Sequence, residues 1–268
     1  MIGRRPDGYH LLQTLFRFID LNDTLHFTLR KDGEVRRVNA LEGVPAEQDL
    51  CVRAARLLQK ECACTLGVDI ALEKCIPMGG GLGGGSSDAA TTLLALNKLW
   101  ELGLSRERLM QLGVTLGADV PVFVFGENAF AEGVGEQLQA FQLQEAWYVV
   151  LFPPVHVPTA KIFTHPELTR DSISITIRAL PIGQSLSAVG GLRNDLQAVV
   201  CKLYPEVANY LAILGKFAPA MMTGSGACVF AEFSSQAAAQ KVRLQLPEEM
   251  QGVVVQGLPH HPLRDLVV

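Results

Sequence analysis

Pro77-Met78-Gly79-Gly80-Gly81-Leu82-Gly83-Gly84-Gly85-Ser86-Ser87-Asp88-Ala89-Ala90 is the stretch on which the reading of this chain turns, six of its fourteen residues being glycine. Upstream, Val68, Ile70 and Leu72 alternate with polar or small residues, the period of a half-buried strand. Downstream, Ala89, Ala90, Leu93, Leu94, Leu96, Leu99 and Trp100 recur near the helical period, and Ser86, Ser87 and Asp88 are placed to cap the first turn. A glycine-rich turn that opens a helix leaves backbone N–H groups unpaired at the positive end of the helix dipole. The pattern predicts an anion site, with phosphate as the anion.

Two nucleotide motifs fail on this loop. Walker A requires lysine and then serine or threonine after its last glycine, whereas Gly84 is followed by Gly85 and Ser86. Gly79, Gly81 and Gly84 satisfy G-x-G-x-x-G, but a run this rich in glycine does so by composition, and no acidic strand end follows about 20 residues on. A flexible linker is the bland alternative, and linkers rarely lie between two such regular elements.

At 268 residues and 49% hydrophobic, the chain fits one large domain or two modest ones with a real core. A formal net charge of −4 argues against nucleic-acid binding, which favours a basic face. No apolar run approaches the length of a membrane span and the N-terminus lacks the apolar core of a signal peptide, so a cytoplasmic protein with no membrane partner is expected. The six cysteines and six histidines show no zinc spacing; reduced thiols and no dedicated metal site are expected.

Along the chain, residues 3–10 are rich in turn formers and end in the pair Tyr9-His10, on chemistry alone either surface decoration or a binding pair. Leu11, Leu12, Leu15, Phe16 and Ile19 begin a strand region; residues 23–29 alternate like a strand, Lys31-Asp32-Gly33 turns, and 34–38 pairs back as a hairpin. Asp49 is placed to cap a helix through Cys62, and Ser105 one through Leu116. Asp119 is a lone carboxylate in the apolar segment 117–123, a site residue or a turn aspartate. Residues 147–152 form a strand stopped by Pro153-Pro154, and Thr159 N-caps a short helix. One helix opens at Asn194 and runs to about Tyr204; Pro205 starts another that ends near Gly215. Residues 223–230 form a glycine turn between apolar strands, Ser234 caps a last helix, and Val253-Val254-Val255 is a last strand. Residues 170–191 show no clear pattern.

Pro-x-Gly-Gly-Gly-Leu-Gly-Gly-Gly-Ser-Ser at residues 77–87 resembles the phosphate loop of the galactokinase, homoserine kinase, mevalonate kinase and phosphomevalonate kinase (GHMP) superfamily. In this form it is similar to that of the 4-diphosphocytidyl-2-C-methyl-D-erythritol kinase family of the non-mevalonate isoprenoid pathway. Residues 3–14 resemble that family's cytidine-gripping segment, Gly117-Ala118-Asp119-Val120-Pro121 its catalytic segment, and residues 223–230 its third motif. The resemblance implies an α+β, two-domain GHMP kinase fold: an ATP-binding, ribosomal protein S5 domain 2-like domain over residues 1–145 and a ferredoxin-like, substrate-side domain over 146–268. It implies phosphoryl transfer from ATP, with Mg²⁺, to the 2-hydroxyl of 4-diphosphocytidyl-2-C-methyl-D-erythritol, a small-molecule substrate, by a monomer or weak homodimer.

The resemblance also distributes roles. Asp119 becomes the catalytic carboxylate that orients the acceptor hydroxyl and takes its proton. Pro77, Met78, Gly79, Gly80, Gly81, Leu82, Gly83, Gly84, Gly85, Ser86 and Ser87 hold the ATP phosphates, with Ser86 or Ser87 reaching the Mg²⁺. Leu50 and Lys74 fall on the adenine side; Lys74 also reads as a solvated strand-end lysine, and Asp49-Leu50 stands where the family commonly has Asn-Leu. Tyr9 stacks on the cytosine, His10 hydrogen-bonds its edge, and Thr159 and Phe163 touch the substrate. The family normally opens with a Pro-Ala-Lys-x-Asn-Leu strand whose lysine is catalytic, and this sequence opens at Met1-Ile2-Gly3. Two alternatives therefore stand: a nucleotide-binding protein without turnover, or another small-molecule kinase of the superfamily, against which the Tyr9-His10 segment argues.

Overall fold

The computed structural model describes residues 1–5, 8, 10–175, 183, 185 and 192–267. Within these, the first strands are β1 (Gly3–Arg4), β2 (His10–Leu11), β3 (Thr14–Phe16), β4 (Thr24–Arg30) and β5 (Val35–Arg37), followed by α1 (Leu50–Cys62), β6 (Gly67–Glu73), α2 (Gly84–Leu99), α3 (Arg106–Leu116) and α4 (Val120–Phe125). The chain continues through β7 (Ala129–Glu132), β8 (Gln137–Ala140), β9 (Trp147–Leu151), α5 (Thr159–Phe163), α6 (Gln197–Leu203), α7 (Pro205–Leu214), β10 (Ala220–Met222), β11 (Val229–Phe233), α8 (Gln236–Arg243) and β12 (Gly252–Gln256). Helices packed on largely antiparallel sheets make this the α+β class expected. Two packing units divide it, each discontinuous in sequence: Met1–Leu21 with Ile76–Gly83 and Asn128–Pro259, and Asn22–Cys75 with Gly84–Glu127 and His260–Val268.

In the second of these units α1 and α2 pack together beside the sheet β4-β6-β5, around fully buried Leu58, Ile70, Leu93, Leu94, Leu96 and Leu109. The expected 34–38 hairpin is corrected here: β5 pairs parallel with β6, and β6 pairs antiparallel with β4. The cause is apolarity. β6 carries buried Val68, Ile70 and Leu72 and takes the centre, leaving the charged β4 and β5 at the edges. The turn crosses β6 over Gly67, where a Cβ would lie 2.6 Å from Glu34 N and 2.8 Å from Gly33 C, so only glycine lets the backbones pass. α1 begins where expected because Asp49 Oδ1 accepts from Cys51 N at 2.7 Å and Val52 N at 3.3 Å, while its other oxygen accepts from Arg37 Nη1 at 2.9 Å.

The other unit is built on the antiparallel sheet β10-β11-β9-β12. Chain order β9, helices, β10, β11, α8, β12 makes this the split β-α-β-β-α-β arrangement of ferredoxin-like sandwiches. Fully buried Val149, Leu151, Ile162, Leu214 and Met222 fill its helix-covered face. Its opposite face buries Tyr148, Val150 and Val255, and there Leu82 of the glycine stretch packs.

Three cap assignments shift. α2 starts at Gly84, so Ser86, Ser87 and Asp88 lie inside its first turns instead of capping them. Pro158 precedes α5, because the Thr159 hydroxyl is taken by Ser225 Oγ at 2.8 Å. Ser235 replaces Ser234 as the cap of α8, accepting from Ala238 N at 3.3 Å.

Candidate active site

Gly79, Gly81 and Gly83 adopt φ of +70°, +74° and +73°, so every second residue of the loop takes a left-handed turn that side chains resist. The loop is sewn to the 223–228 turn: Cys228 N donates to Gly80 O at 3.0 Å and Thr223 Oγ1 to Gly81 O at 3.0 Å. A Cβ at Gly80 would sit 2.6 Å from Cys228 Sγ and one at Gly79 2.5 Å from His156 Nδ1, so the approach needs glycine. Leu82 anchors the loop in the apolar sheet face, and Pro77 is half-buried while Met78 stays exposed. The chain then enters α2 at Gly84, with Gly85 exposed and Ser86 and Ser87 half-buried in the first turn, where amide groups lack intrahelical partners.

Within the unit that holds α2, two neighbours approach this helix start. Leu50, the first residue of α1, lies 3.6 Å from where a Gly85 Cβ would be, and Ser86 Oγ 3.8 Å from where a Gly117 Cβ would be. Gly117 leads by two residues to Asp119 before α4. The Asp119 side chain makes no capping bond, and among the described residues no hydrogen bond or ion pair reaches it. It is open to solvent, yet the protein around it is dense enough to push its carboxyl pKa up by desolvation.

Lys74 stands otherwise. Its ammonium pairs with Asp23 and, at 2.9 Å, with Asp88. Burial opposes its charge, yet Asp88 and Asp23 hold its pKa above the ordinary value. Burial pushes the Asp88 carboxyl up to about 7 against the pull of Lys74, since two carboxylates share one cation.

In the other unit His10 and Phe163 come together, ring centroids 5.3 Å apart and tilted by 56°. Tyr9 lies outside the described residues. Thr159 is exposed on α5, held to Ser225. Arg170, in a segment without legible pattern, joins them: its Nε donates to His10 Nε2 at 3.1 Å and its Nη2 to Phe163 O at 3.0 Å.

The GHMP kinases N terminal domain matches residues 49–127 and the GHMP kinases C terminal domain residues 177–252. A 4-diphosphocytidyl-2-C-methyl-D-erythritol kinase from Thiobacillus denitrificans is 58% identical over 267 residues, covering 100% of this chain and 94% of that protein. The chain belongs to the 4-diphosphocytidyl-2-C-methyl-D-erythritol kinase family of GHMP kinases. A further member, from Ralstonia pickettii, is 58% identical over 100% of this chain and 92% of its own. A crystal structure of a 4-(cytidine 5'-diphospho)-2C-methyl-D-erythritol kinase superposes with a TM-score of 0.80 at 33% identity, covering 96% of this chain and 93% of that one. Methanococcus jannaschii mevalonate kinase, at 13% identity and a TM-score of 0.66 over 95% of this chain and 100% of that one, shares the fold. One residue of this family member escaped sequence reasoning, Arg170, because its partner His10 in this site is distant in sequence and it lies in no periodic pattern.

Proposed function

We propose that this chain transfers the γ-phosphoryl group of ATP to the 2-hydroxyl of 4-diphosphocytidyl-2-C-methyl-D-erythritol; its relatives are named as kinases of that compound. The observation that carries the reading is the placement, in one unit, of an open carboxylate of raised basicity two residues from the glycine that faces Ser86 at the start of α2. Backbone N–H groups of residues 79–87 receive the phosphates at the dipole's positive end. Asp119 takes the proton of the acceptor hydroxyl as the phosphoryl group arrives, and desolvation gives it the basicity for that task.

Mg²⁺ fits this donor set. The Ser86 and Ser87 hydroxyls are hard oxygens beside the phosphate path, and a Mg²⁺ carried by phosphates and water needs only one or two protein ligands. It would neutralise charge developing on the transferring group. Leu50 lies on the adenine side of the loop start, and His10, Phe163 and Thr159 contact the cytidyl end together with Tyr9. Lys74 acts at the adenine side through Asp88 and α2. Among the described residues no helix is long and apolar enough to cross a membrane, and we place the protein in the cytoplasm as a monomer or weak homodimer. In the proposal residues 1–145 carry the ATP-side groups together with Tyr9 and His10, and residues 146–268 carry the substrate-side Thr159 and Phe163.

The test is incubation of the chain with ATP, Mg²⁺ and the cytidyl acceptor, with product mass read directly. One phosphate gained on the acceptor supports the proposal. Phosphorylation of homoserine or mevalonate instead, or ATP binding with no transfer to any acceptor, overturns it.

A further inference from the structure

We infer that Arg170 is a positioning residue that locks His10 in the neutral tautomer protonated on Nδ1, so that the ring presents an N–H donor to the base of the substrate. The inference rests on the reading of His10 as a cytidine contact. A guanidinium has five N–H donors, no acceptor, and does not lose its proton in proteins. Arg170 Nε stands 3.1 Å from His10 Nε2, so that nitrogen is the acceptor and carries the lone pair. The proton of the neutral ring is then on Nδ1. An imidazolium would set N–H against N–H.

The guanidinium has no freedom to turn away. Its Nη1 donates to Leu168 O at 3.0 Å, and its Nη2 donates to Phe163 O at 3.0 Å and His165 O at 2.8 Å. Three carbonyls from the end of α5 and the turn behind it fix the cation, and the cation fixes the imidazole. The same contact to Phe163 O ties down the residue whose ring leans on His10. A single side chain thereby contacts both residues, the His10 ring and the Phe163 backbone. Electrostatics agrees: burial first, then Arg170 and Arg4, lower the His10 pKa, which favours the neutral ring.

The chemical consequence is a polarity of recognition. The Nδ1–H can meet a ring nitrogen lone pair or a carbonyl oxygen, both of which cytosine offers, and it repels a ring N–H. Phe163 supplies the apolar flank.

The experiment is long-range ¹H–¹⁵N spectroscopy of the His10 ring in the full chain, above the ordinary histidine pKa, on wild type, Arg170→Met and Arg170→Lys, with steady-state kinetics on each. Wild type is expected to show a protonated Nδ1 and a bare Nε2. Arg170→Met should lose that signature and raise KM for the cytidyl acceptor about five- to tenfold, with kcat and the KM for ATP within about twofold. Arg170→Lys keeps a donor-only cation and should fall between the two. A wild-type ring protonated on Nε2, or an Arg170→Met protein with unchanged signature and KM, overturns the inference. If Arg170→Met does not fold, the wild-type tautomer and Arg170→Lys decide. If wild type shows the Nδ1–H tautomer but transfers no phosphate to the cytidyl acceptor, the activity reading fails while the tautomer assignment stands.

Discussion

Lys74 Nζ lies 2.9 Å from Asp88 Oδ2, and the same ammonium pairs with Asp23; the three side chains are 16%, 5% and 1% exposed. This buried triad ties the end of β6 to the second turn of α2, directly behind the serines of the phosphate loop. Removing the cation leaves two carboxylates buried together. Lys74→Met should cost about 3–5 kcal/mol of stability in chemical denaturation without nucleotide. A lysine that served only to touch ATP would leave the stability of the nucleotide-free protein unchanged, so the measurement separates the two roles.

Asp119→Asn keeps the shape of the turn before α4 and removes the base. It should lower kcat by about 10²- to 10⁴-fold while ATP binding by calorimetry stays within a few-fold. Because desolvation raises the Asp119 pKa, wild-type kcat should fall with decreasing pH earlier than an ordinary carboxylate would give. A variant with near-normal turnover would remove Asp119 from the mechanism.

At Gly81 a side chain would meet backbone: a Cβ there would lie 2.9 Å from Gly226 O, at a φ of +74°. Gly81→Ala should therefore break the seam to the 223–228 turn and weaken ATP binding at least about tenfold, beyond the roughly 1–2 kcal/mol of left-handed strain. Gly103→Ala is the control, since Gly103 has φ +66° and nothing within 4 Å of a Cβ. Its cost should appear in stability alone, with ATP affinity intact.

His261 is buried, its Nδ1 accepting from Leu263 N at 3.1 Å and its ring edge-on to Phe123, and burial lowers its pKa to about 4. Between the ordinary value of 6.5 and about 4 the unfolded chain binds a proton that the folded chain refuses, so this group's contribution is full above 6.5 and lost as pH falls. Asp88 has the opposite sign: its folded pKa of about 7 lies above its ordinary value, and its contribution is lost as pH rises through 7. Comparing variants isolates each. His261→Phe should lose about 2 kcal/mol less than wild type between about pH 7 and pH 5 in denaturant titrations.

Local chemistry made much of this protein legible. The caps Asp49 and Ser105 mark α1 and α3 to the residue, because a capping side chain bonds to amides two or three positions away. The glycine turn at 223–228 and the helix break at Tyr204-Pro205 were equally readable, being conformational properties of the residues themselves. The place of β5 was not. Adjacent strands ordinarily pair, and only the competition of three strands for the most buried position sends β5 to the far side of β6.

The same division runs through the candidate site. The phosphate loop, the helix it opens, the lone aspartate ahead of α4 and the family resemblance these carry are legible along the chain, since each depends on its sequence neighbours. What folding alone reveals is that Lys74 is shared by Asp23 and Asp88, that Cys228 N and Thr223 Oγ1 are the donors by which the third-motif turn holds the loop, and that Arg170 governs His10 across 160 residues. The reason is physical: a hydrogen bond or buried ion pair is set by distances of a few ångströms in space, and no periodicity along the chain encodes which distant residue will supply the other half.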